Sequence, residues 1–335
     1  MLARMNSAGT LEHNVGNTPL ILLKNLSVMT GCEIYGKAEF LNPGGSIKDR
    51  TALGMLREAR KDGRLPVGGN VFEGTAGNTG IGLAMFASSF NYTCHVVMPD
   101  NQAQEKYDTL KALGAKVIAV PPCPFANPAH FYHTAKRLSE ETPNSFWCNQ
   151  FENLANFRVH YESTGPEIWS QTDGKVDIFC AASGTGGTLA GVSNFLKEKN
   201  PEVKSILVDP YGSGLFQYFK NGEMKSTGSS VTEGIGIMRV TANYAKAKVD
   251  EAMQVDDQKM ISMLYYLAQK EGLLVGTSAA LNVYAAYEIA RRNKGRGLKI
   301  VTVLCDSALR YQSKLFNKAW LESKGLNPSV SSITA

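Results

Sequence analysis

The sequence has no run of apolar residues long enough to cross a membrane and no cysteine pattern typical of a metal site. Its six cysteines include no CxxC pair, which argues against a zinc site and a disulfide framework. The five histidines contain one i, i+3 pair, His130 and His133. No carboxylate pattern accompanies this pair, so two side chains on one helix face are favoured over a metal site. We therefore predict no catalytic metal and no membrane partner.

Positive charge is only slightly in excess of negative charge. The 35 Lys and Arg residues against 30 Asp and Glu give a net charge of +5, and they are scattered along the chain. Nucleic-acid binding therefore ranks below binding of a small anionic ligand. The first twenty residues lack the charged and apolar regions of a secretory signal. We expect a cytoplasmic protein, with a short mitochondrial leader as the open alternative.

The order of the predicted elements indicates an α/β fold. Short β-branched runs alternate with helical patterns, which is typical of βαβ units and a mainly parallel sheet. Strands are predicted at residues 94–99, 115–120, 176–182, 204–210 and 299–306. Helices are predicted at residues 50–62, 79–90, 101–113, 128–141, 187–199, 257–271 and 280–293. Roughly seven crossovers exceed one open sheet, so we expect two sheets. The Ser-rich tail after Pro328 is the one region expected to be loosely packed.

The stretch GTGGT at residues 184–188 follows a predicted strand and precedes a helix. A glycine loop at a helix start points backbone N–H groups at one place, where the helix dipole favours an anion. The dinucleotide fingerprint fails because Leu189 stands where its third glycine belongs, although Asp209 falls near the place of a ribose-binding acid. No GK[ST] follows, so a Walker A loop also fails. We interpret the stretch as a monophosphate-binding loop, with a turn that only permits close packing as the alternative.

Lys48 lies in the stretch NPGGSIKDR at residues 42–50. Burial would lower the pKa of such a lysine and make it a nucleophile toward a carbonyl group. The glycines and Ser46 before it leave room for a bulky ligand. Composition alone favours an exposed lysine in a turn, since most lysines are exposed. Taken together with a monophosphate loop, however, Lys48 suggests pyridoxal phosphate.

A third glycine-rich turn, EGTAGNTGIGLA at residues 73–84, also leads into a predicted helix. The hydroxyl groups of Thr75 and Thr79, the amide of Asn78 and the N–H groups of the helix start suit a carboxylate. A capped helix without a ligand is the alternative. The two helix starts and the lysine fit a cofactor phosphate at one place and a substrate carboxylate at another.

In their order along the chain, these motifs resemble the cysteine synthase and cystathionine β-synthase group of fold-type II pyridoxal phosphate enzymes. The resemblance is carried by GNTPL (16–20), KAEFLNPGGSIKDR (37–50), EGTAGNTGIGLA, NQFENLANF (149–157), GTGGTLAG, TEGIGI (232–237) and CDSALRYQSKLF (305–316). It implies a two-lobed, three-layer α/β/α architecture similar to that of tryptophan synthase β, with mainly parallel sheets and the cofactor in the interlobe cleft. Residues 1–46 and 156–335 would form the larger, cofactor-binding lobe, and residues 47–155 the smaller, mobile substrate-binding lobe.

The resemblance also implies roles for individual residues. Lys48 would hold the cofactor as an internal aldimine and later act as acid or base at the substrate α-carbon. Asn78 would hydrogen-bond the phenolic oxygen of the cofactor, and Ser278 its pyridine nitrogen. The cofactor phosphate would be held by Gly184, Thr185, Gly186, Gly187 and Thr188. The substrate would be bound by Thr75, Ala76, Gly77, Asn78, Thr79, Gln150 and Gly234.

The implied reaction is a β-replacement that makes L-cysteine from O-acetyl-L-serine and sulfide through an α-aminoacrylate. A β-cyanoalanine synthase, a donor such as O-phosphoserine or serine, and a low-activity regulatory relative that keeps its cofactor stay open as alternatives. A homodimer is expected by resemblance, and the C-terminal tail of serine acetyltransferase is a candidate partner.

Five positions depart from the common pattern of the family. Ala76 stands where serine is frequent, which removes a hydroxyl group but leaves the backbone N–H. Ala279 and Ala280 interrupt a glycine and serine pattern, and Ala308 and Leu309 replace a glycine and a polar residue. Where the family's glycines need a positive φ, alanine would strain the backbone.

Overall fold

The structure is a computed structural model that describes residues 10–102 and 104–334. In these ranges the strands are β1 (Leu20–Leu22), β2 (Glu33–Ala38), β3 (Asn70–Gly74), β4 (Thr93–Pro99), β5 (Lys116–Val120), β6 (Ser145–Trp147), β7 (Ile178–Ala182), β8 (Lys204–Pro210), β9 (Glu251–Val255) and β10 (Lys299–Leu304). The α-helices are α1 (Lys24–Thr30), α2 (Lys48–Lys61), α3 (Asn78–Ser89), α4 (Gln104–Ala112), α5 (Phe131–Glu141), α6 (Ala155–Val159), α7 (Gly165–Gln171), α8 (Gly187–Lys199), α9 (Leu215–Asn221), α10 (Asp257–Tyr266), α11 (Thr277–Arg292), α12 (Gln312–Leu315), α13 (Lys318–Ser323) and α14 (Ser331–Thr334). Short 3₁₀ helices lie at Leu11–Asn14, Glu39–Leu41, Tyr244–Lys246 and Ala308–Tyr311, and π-helical turns at His160–Thr164 and Leu267–Glu271.

The chain divides into two compact units. Unit 1 comprises the described residues of Met1–Asn17, Asn42–Gly44 and Lys48–Cys148. Unit 2 comprises those of Thr18–Leu41, Gly45–Ile47 and Asn149–Ala335. The chain changes unit between Ile47 and Lys48, so the segment 45–47 belongs to unit 2 and the lysine after it to unit 1. The functions predicted for the two lobes stay predictions.

Unit 1 is built on a parallel sheet with the order β5-β4-β3-β6. Four of the five residues of its interior strand β3 are buried, as expected for a strand covered on both faces. Helix α3 is rich in glycine and alanine, which lets its neighbour α2 approach closely. A Cβ atom added at Gly82 would lie 3.0 Å from the Cβ of Ala52 in α2. These small residues therefore fix how the two helices that carry Lys48 and Asn78 pack.

Unit 2 is built on a six-stranded sheet with the order β1-β2-β10-β7-β8-β9. All pairs are parallel except β1 with β2. Alternate residues of β7 enter two different core clusters: Ile178 and Cys180 pack with α10 and α11, while Phe179 and Ala181 pack with α8. The sheet is thus covered by helices on both faces, which explains its near-continuous apolar strands.

The predicted α/β fold with two mainly parallel sheets is confirmed. All five predicted strands and all seven predicted helices are present, with ends displaced by a few residues. The expectation of a loosely packed tail after Pro328 is wrong. Helix α14 lies there, the side chain of Ile333 is buried, and its carbonyl accepts a hydrogen bond from the Tyr287 hydroxyl at 2.7 Å. Within residues 10–102 and 104–334, no helix combines the length and the apolar character needed to span a bilayer.

Candidate active site

The loop at residues 184–188 joins β7 to α8, and its glycines are required by its surroundings. Gly186 has a φ of +92°, a left-handed conformation that disfavours residues with a Cβ atom. A Cβ atom here would also overlap the backbone of Tyr244. At Gly187 an added Cβ would overlap the side-chain amide of Asn156. The chain can follow this path only with glycine, and the path aims the amides of a 13-residue helix at one place.

Side chains from neighbouring segments hold this loop in position. The Thr185 hydroxyl accepts a hydrogen bond from Asn156 Nδ2 at 2.9 Å, and its carbonyl accepts one from the Thr241 hydroxyl at 2.7 Å. The Thr188 hydroxyl lies 3.2 Å from Nε2 of His160, a buried residue. Both predicted phosphate-binding hydroxyl groups are therefore fixed by unit 2 itself.

Ser183, directly before this loop, carries a buried hydroxyl group that has no hydrogen-bond partner among the described residues. Its carbonyl accepts a hydrogen bond from Gly236 N at 2.9 Å. The next residue, Gly184, has no room for a Cβ atom because the carbonyl oxygen of Gly234 occupies that place. The turn that contains Gly234 is thus packed against the start of the loop.

Ser278 lies in the first turn of α11, and only 6% of its surface is exposed. Two contacts bring this helix start to the same part of unit 2. Asn282 Oδ1 accepts a hydrogen bond at 2.7 Å from the N–H of Ala182, the last residue of β7. The N–H of Glu233 donates to the Thr277 hydroxyl at 3.5 Å. Ser278, the turn at Gly234 and the loop at 184–188 are therefore neighbours.

Gln150 is a further predicted site residue in this neighbourhood. It follows Asn149, which has a φ of +49°, a conformation that asparagine tolerates better than most residues. The carbonyl of Gln150 accepts hydrogen bonds from Asn156 Nδ2 at 2.9 Å and from Asn243 Nδ2 at 3.1 Å. Asn156 therefore links the Gln150 turn directly to the Thr185 hydroxyl.

Asp209, at the end of β8, does not have the ribose-binding role considered from the sequence. Its Oδ2 accepts a hydrogen bond from Phe216 N at 2.8 Å, so the side chain caps the start of α9. Burial raises the pKa of Asp209 to about 6. Burial also raises the pKa of Tyr244 to about 12, with a further contribution from the nearby carboxylate of Asp209.

Lys48 is the first residue of α2 in unit 1, and it is half-buried. The exposed turn lysine considered as its alternative is therefore not observed. Asp49 beside it is fully buried, and its carboxylate accepts a hydrogen bond from Gly44 N at 2.5 Å. Gly44 has no space for a Cβ atom, which would lie 2.6 Å from Asp49 Oδ1. Glycine is thus needed at position 44 because its N–H must approach the Asp49 carboxylate closely, and this hydrogen bond orients the start of α2.

The predicted carboxylate-binding segment, residues 75–79, joins β3 to α3 in unit 1. Thr75 and Thr79 are buried, whereas Gly77, the N-cap residue of α3, is exposed. The Thr75 hydroxyl accepts a hydrogen bond from Gly77 N at 3.2 Å. An added Cβ atom at Gly77 would meet no described atom within 4 Å. The helix start is therefore accessible from outside the chain.

The positions that depart from the family pattern carry no backbone strain. Ala279 and Ala280 lie inside α11, and Ala308 and Leu309 lie in a 3₁₀ helix. None of them is among the described non-glycine residues with positive φ. Ala76 is half-buried and precedes the N-cap residue of α3. The strain considered for these substitutions does not occur.

Three residues that shape the phosphate loop were not singled out from the sequence: Asn156, His160 and Thr241. Of the three, only Asn156 lies in a recognised sequence motif, the NQFENLANF stretch. His160 and Thr241 are separated from the loop by more than twenty residues, so local pattern does not reveal them. Among the described residues, no group of three or more His, Cys, Asp or Glu side chains is placed to hold a metal ion.

Residues 11–306 match the family described as pyridoxal-phosphate dependent enzyme. The chain belongs to the pyridoxal-phosphate dependent enzyme family. Within it, the chain is 51% identical to cysteine synthase 1 of Neurospora crassa, over 93% of this chain and 84% of that protein. It is 45% identical to the cysteine synthase of Dictyostelium discoideum, over 96% of this chain and 88% of that protein. These identities place it with the cysteine synthases.

A solved structure of the same fold supports this membership. The crystal structure of a hydrogen sulfide-producing enzyme from Fusobacterium nucleatum matches 92% of this chain and 99% of its own, with a TM-score of 0.84 and 35% identity. The predicted fold-type II architecture is therefore confirmed at the level of family and fold.

The residues of unit 2 fit the phosphate of pyridoxal phosphate. Gly184, Gly186 and Gly187 let this loop pass close to Gly234, Tyr244 and Asn156, and the loop leads into the N-terminus of α8, whose backbone N–H groups suit a phosphate. The Ser183 hydroxyl beside this loop lacks a partner among the described residues. Family membership and this loop geometry agree, since members of the family depend on this cofactor.

Proposed function

We propose that the protein makes L-cysteine from O-acetyl-L-serine and sulfide in a pyridoxal-phosphate dependent β-replacement. The observation that supports this most is the phosphate loop at 184–188, shaped by glycines that its own unit requires, in a chain 51% identical to a cysteine synthase. Bound pyridoxal phosphate supplies the electron sink for the bond that breaks at the substrate α-carbon. The roles of the chain's own residues follow from their positions.

The N–H groups of residues 184–188 and the hydroxyl groups of Thr185 and Thr188 bind the cofactor phosphate. Ser278 offers a neutral hydroxyl to the ring nitrogen. A neutral partner leaves that nitrogen unprotonated, which limits the electron sink and favours elimination over deeper carbanion chemistry. Unit 2 thus holds the cofactor and tunes its reactivity.

In unit 1, Lys48 binds the cofactor covalently and moves a proton at the substrate α-carbon. Asn78 hydrogen-bonds the cofactor oxygen next to that bond. Thr75, Thr79 and the N–H groups at the start of α3 orient the substrate carboxylate. With the substrate held in this way, Lys48 removes its α-proton, the bond between the substrate β-carbon and oxygen breaks, and acetate leaves. Sulfide then adds to that β-carbon, and the α-carbon regains a proton.

Substitution of Lys48 by alanine tests this proposal. The proton transfer at the α-carbon would lose its base, so we expect cysteine formation to fall by about 10²–10⁴-fold or more and covalent attachment of the cofactor to be lost. Mass spectrometry after borohydride reduction and an assay of cysteine report these two effects. The matched control is Lys61→Ala, at the exposed opposite end of α2, which should change neither.

A comparison of donors and acceptors tests the substrate assignment. O-Acetylserine, O-phosphoserine and serine are each combined with sulfide, cyanide and homocysteine, and each product is quantified. The proposal expects the highest kcat/KM for O-acetylserine with sulfide. A preference for cyanide would instead indicate a β-cyanoalanine synthase, and absence of turnover with a bound cofactor would indicate a regulatory relative.

We also propose a cytoplasmic homodimer that binds the C-terminal tail of serine acetyltransferase. The dimer is supported by apolar side chains exposed in unit 2 at Leu22 (44%), Val28 (76%) and Leu41 (54%). Binding of the serine acetyltransferase tail is supported by the accessible start of α3. The C-terminus of that tail carries a carboxylate, as the substrate does, so both could bind at the same place. Sedimentation should give twice the 36.3 kDa chain mass, and a peptide with the tail sequence should compete with O-acetylserine.

A further inference from the structure

The segment after β10 connects two parts of unit 2 that carry predicted site residues or lead to them. The carbonyl of Cys305 accepts a hydrogen bond from Ile47 N at 2.9 Å, and Ser46 pairs with Asp306 as an antiparallel bridge. On its other side, the carbonyl of Asp306 accepts a hydrogen bond from Gly276 N at 3.0 Å. The backbone of Cys305 and Asp306 therefore joins segment 45–47 on one side to Gly276 on the other.

The side chain of Asp306 lies in the same junction. It is 2% exposed, and its Oδ2 accepts a hydrogen bond from the Tyr311 hydroxyl at 2.6 Å. Burial, and then the Asp306 carboxylate, raise the pKa of Tyr311 well above its usual value. The phenol therefore stays protonated at neutral pH and donates to the carboxylate.

Gly276 shows how closely this pair packs. Its φ of −73° is ordinary, so its backbone conformation does not require glycine. An added Cβ atom, however, would overlap Asp306 Oδ1 and lie 3.1 Å from Cε2 of Tyr311. Glycine is needed here because the carboxylate and the phenol occupy the space of a side chain. The two side chains thus define where the backbone at the start of α11 can lie.

The two segments in this junction lead directly to Lys48 and Ser278. Lys48 is joined to Ile47 by a peptide bond, and Ser278 is two residues beyond Gly276. We propose that Asp306 is a positioning residue: its carboxylate, held by Tyr311, packs against Gly276 and so sets the place of the strand end 305–306, whose backbone pairs with segment 45–47 and with the start of α11. The significance of this for catalysis rests on the proposed function, because Lys48 and Ser278 are its cofactor-binding residues.

Hydrogen exchange of the full chain with saturating pyridoxal phosphate tests the proposal. In Asp306→Ala, the amides of Ile47 and Gly276 should exchange about tenfold faster, since one hydrogen-bonded carboxylate is lost from their junction. Asp306→Asn keeps an acceptor for the Tyr311 hydroxyl and should restore most of the protection. The matched control is Asp209→Ala, at a second buried acid, which should speed exchange at Phe216 and leave Ile47 and Gly276 unchanged.

A spectroscopic measurement distinguishes positioning from general loosening. In Asp306→Ala the absorbance maximum of the bound cofactor should shift, and cofactor affinity should fall about tenfold, whereas Asp306→Asn should resemble the wild type. Tyr311→Phe, which keeps nearly the same shape, should reproduce the alanine effects in weaker form if Asp306→Ala does not fold.

Two results would overturn the proposal. One is unchanged exchange at Ile47 and Gly276 in both Asp306→Ala and Tyr311→Phe. The other is exchange that rises equally at every core amide while the absorbance maximum stays in place. Such a result would mean that the substitution lowers the stability of the whole protein and that Asp306 does not position these segments. The exchange measurement uses no substrate, so it reports on Asp306 whether or not the wild-type protein makes cysteine.

Discussion

Helices of this protein begin in more than one way, and comparing starts capped by a side chain with starts at glycine bears on where a ligand could bind. Helix α10 is capped by Asp256, which accepts a hydrogen bond from Lys259 N at 2.9 Å. Helix α5 is capped by His130, whose Nδ1 accepts one from Tyr132 N at 3.3 Å. Helices α3, α8 and α11 begin instead at the glycines Gly77, Gly186 and Gly276, which have no side chain to cap them.

A capping side chain takes up backbone N–H groups that an anion would otherwise bind. Helices α3, α8 and α11 carry residues assigned to the cofactor and the substrate: Asn78, the loop at 184–188 and Ser278. A fourth helix, α9, also begins at a glycine, Gly214, but there the carboxylate of Asp209 accepts a hydrogen bond from Phe216 N. We therefore infer that a ligand completes the N-terminal turn at α3, α8 and α11.

The three glycines serve this purpose for different physical reasons. Gly186 and Gly276 are surrounded by Tyr244 and by the Asp306 pair, so packing within unit 2 excludes any side chain. Gly77 has an ordinary φ of −129°, and an added Cβ atom would meet no described atom within 4 Å. The protein itself does not require glycine at this position. We infer that the substrate does.

The largest effect is expected from Gly186→Ala. This variant tests whether packing within unit 2 requires glycine at the start of α8. The variant combines a left-handed φ of +92° with overlap of the Tyr244 backbone. We expect a loss of roughly 4 kcal/mol in the free energy of unfolding and a large fall in cofactor affinity. Urea unfolding and titration with pyridoxal phosphate measure the two effects.

Gly222→Ala is the matched control for this substitution. Gly222 has a similar φ of +78° at the end of α9, but an added Cβ atom would have open space among the described residues. The Gly222→Ala variant should lose about 1 kcal/mol in the free energy of unfolding and keep the cofactor affinity of the wild type. Equal losses in the two variants would show that backbone conformation alone matters and that Tyr244 does not shape the loop.

A smaller effect, dependent on pH, is expected at a helix start that is capped by a side chain. Asp209 caps α9, and burial raises its pKa to about 6, above the ordinary 3.8 of the unfolded chain. Its ionisation therefore costs stability: the cost is absent below pH 4, grows as the pH rises through the folded pKa and is complete above it. The shift corresponds to a cost on the order of 3 kcal/mol.

Asp209→Asn removes this cost and weakens the cap at every pH. The free energy of unfolding of the variant, relative to the wild type, should therefore rise between pH 4 and pH 7. Urea unfolding at these two pH values gives the comparison, with the wild type at each pH as the reference. A constant difference between the two proteins would contradict the raised pKa of Asp209.

Much of this molecule could be predicted from the sequence because its strands and loops carry local signals. Apolar runs such as 204–210 and glycine loops such as 184–188 reveal strands and anion-binding turns without knowledge of their partners. Short or half-buried elements lack such signals. Strand β1, three residues long and partly exposed, is stabilised by its antiparallel pairing with β2 and leaves no periodic pattern.

The contacts that shape the site were less predictable because they join residues distant in the chain. Asn156 and Thr241 fix Thr185 across 29 and 56 residues respectively. The alanines at 279 and 280 raised the question of strain because the predicted helix began only at residue 280, whereas α11 begins three residues earlier, at Thr277. Local pattern thus identified the loop proposed to bind a phosphate, whereas its supporting residues became apparent only from the fold.

The smallest effect on stability, and the sharpest test of the comparison, is expected from Gly77→Asp. Aspartate is a favourable N-cap residue, and Gly77 has a compatible backbone and open space. We expect the free energy of unfolding to change by no more than about 1 kcal/mol. The new carboxylate, however, would take up the N–H groups of α3 and repel the carboxylate of O-acetylserine. The KM for this substrate should therefore rise about tenfold or more, as steady-state kinetics would show.

Gly77→Asn is the matched control, because asparagine caps a helix about as well as aspartate but carries no charge. It should raise KM less than aspartate does, and the difference between the two variants isolates charge repulsion from competition for the N–H groups. If both variants kept the wild-type KM, the start of α3 would not bind the substrate carboxylate. A helix that begins with glycine would then be no different in function from one that begins with Asp256, and the distinction between the two kinds of helix start would fail for unit 1.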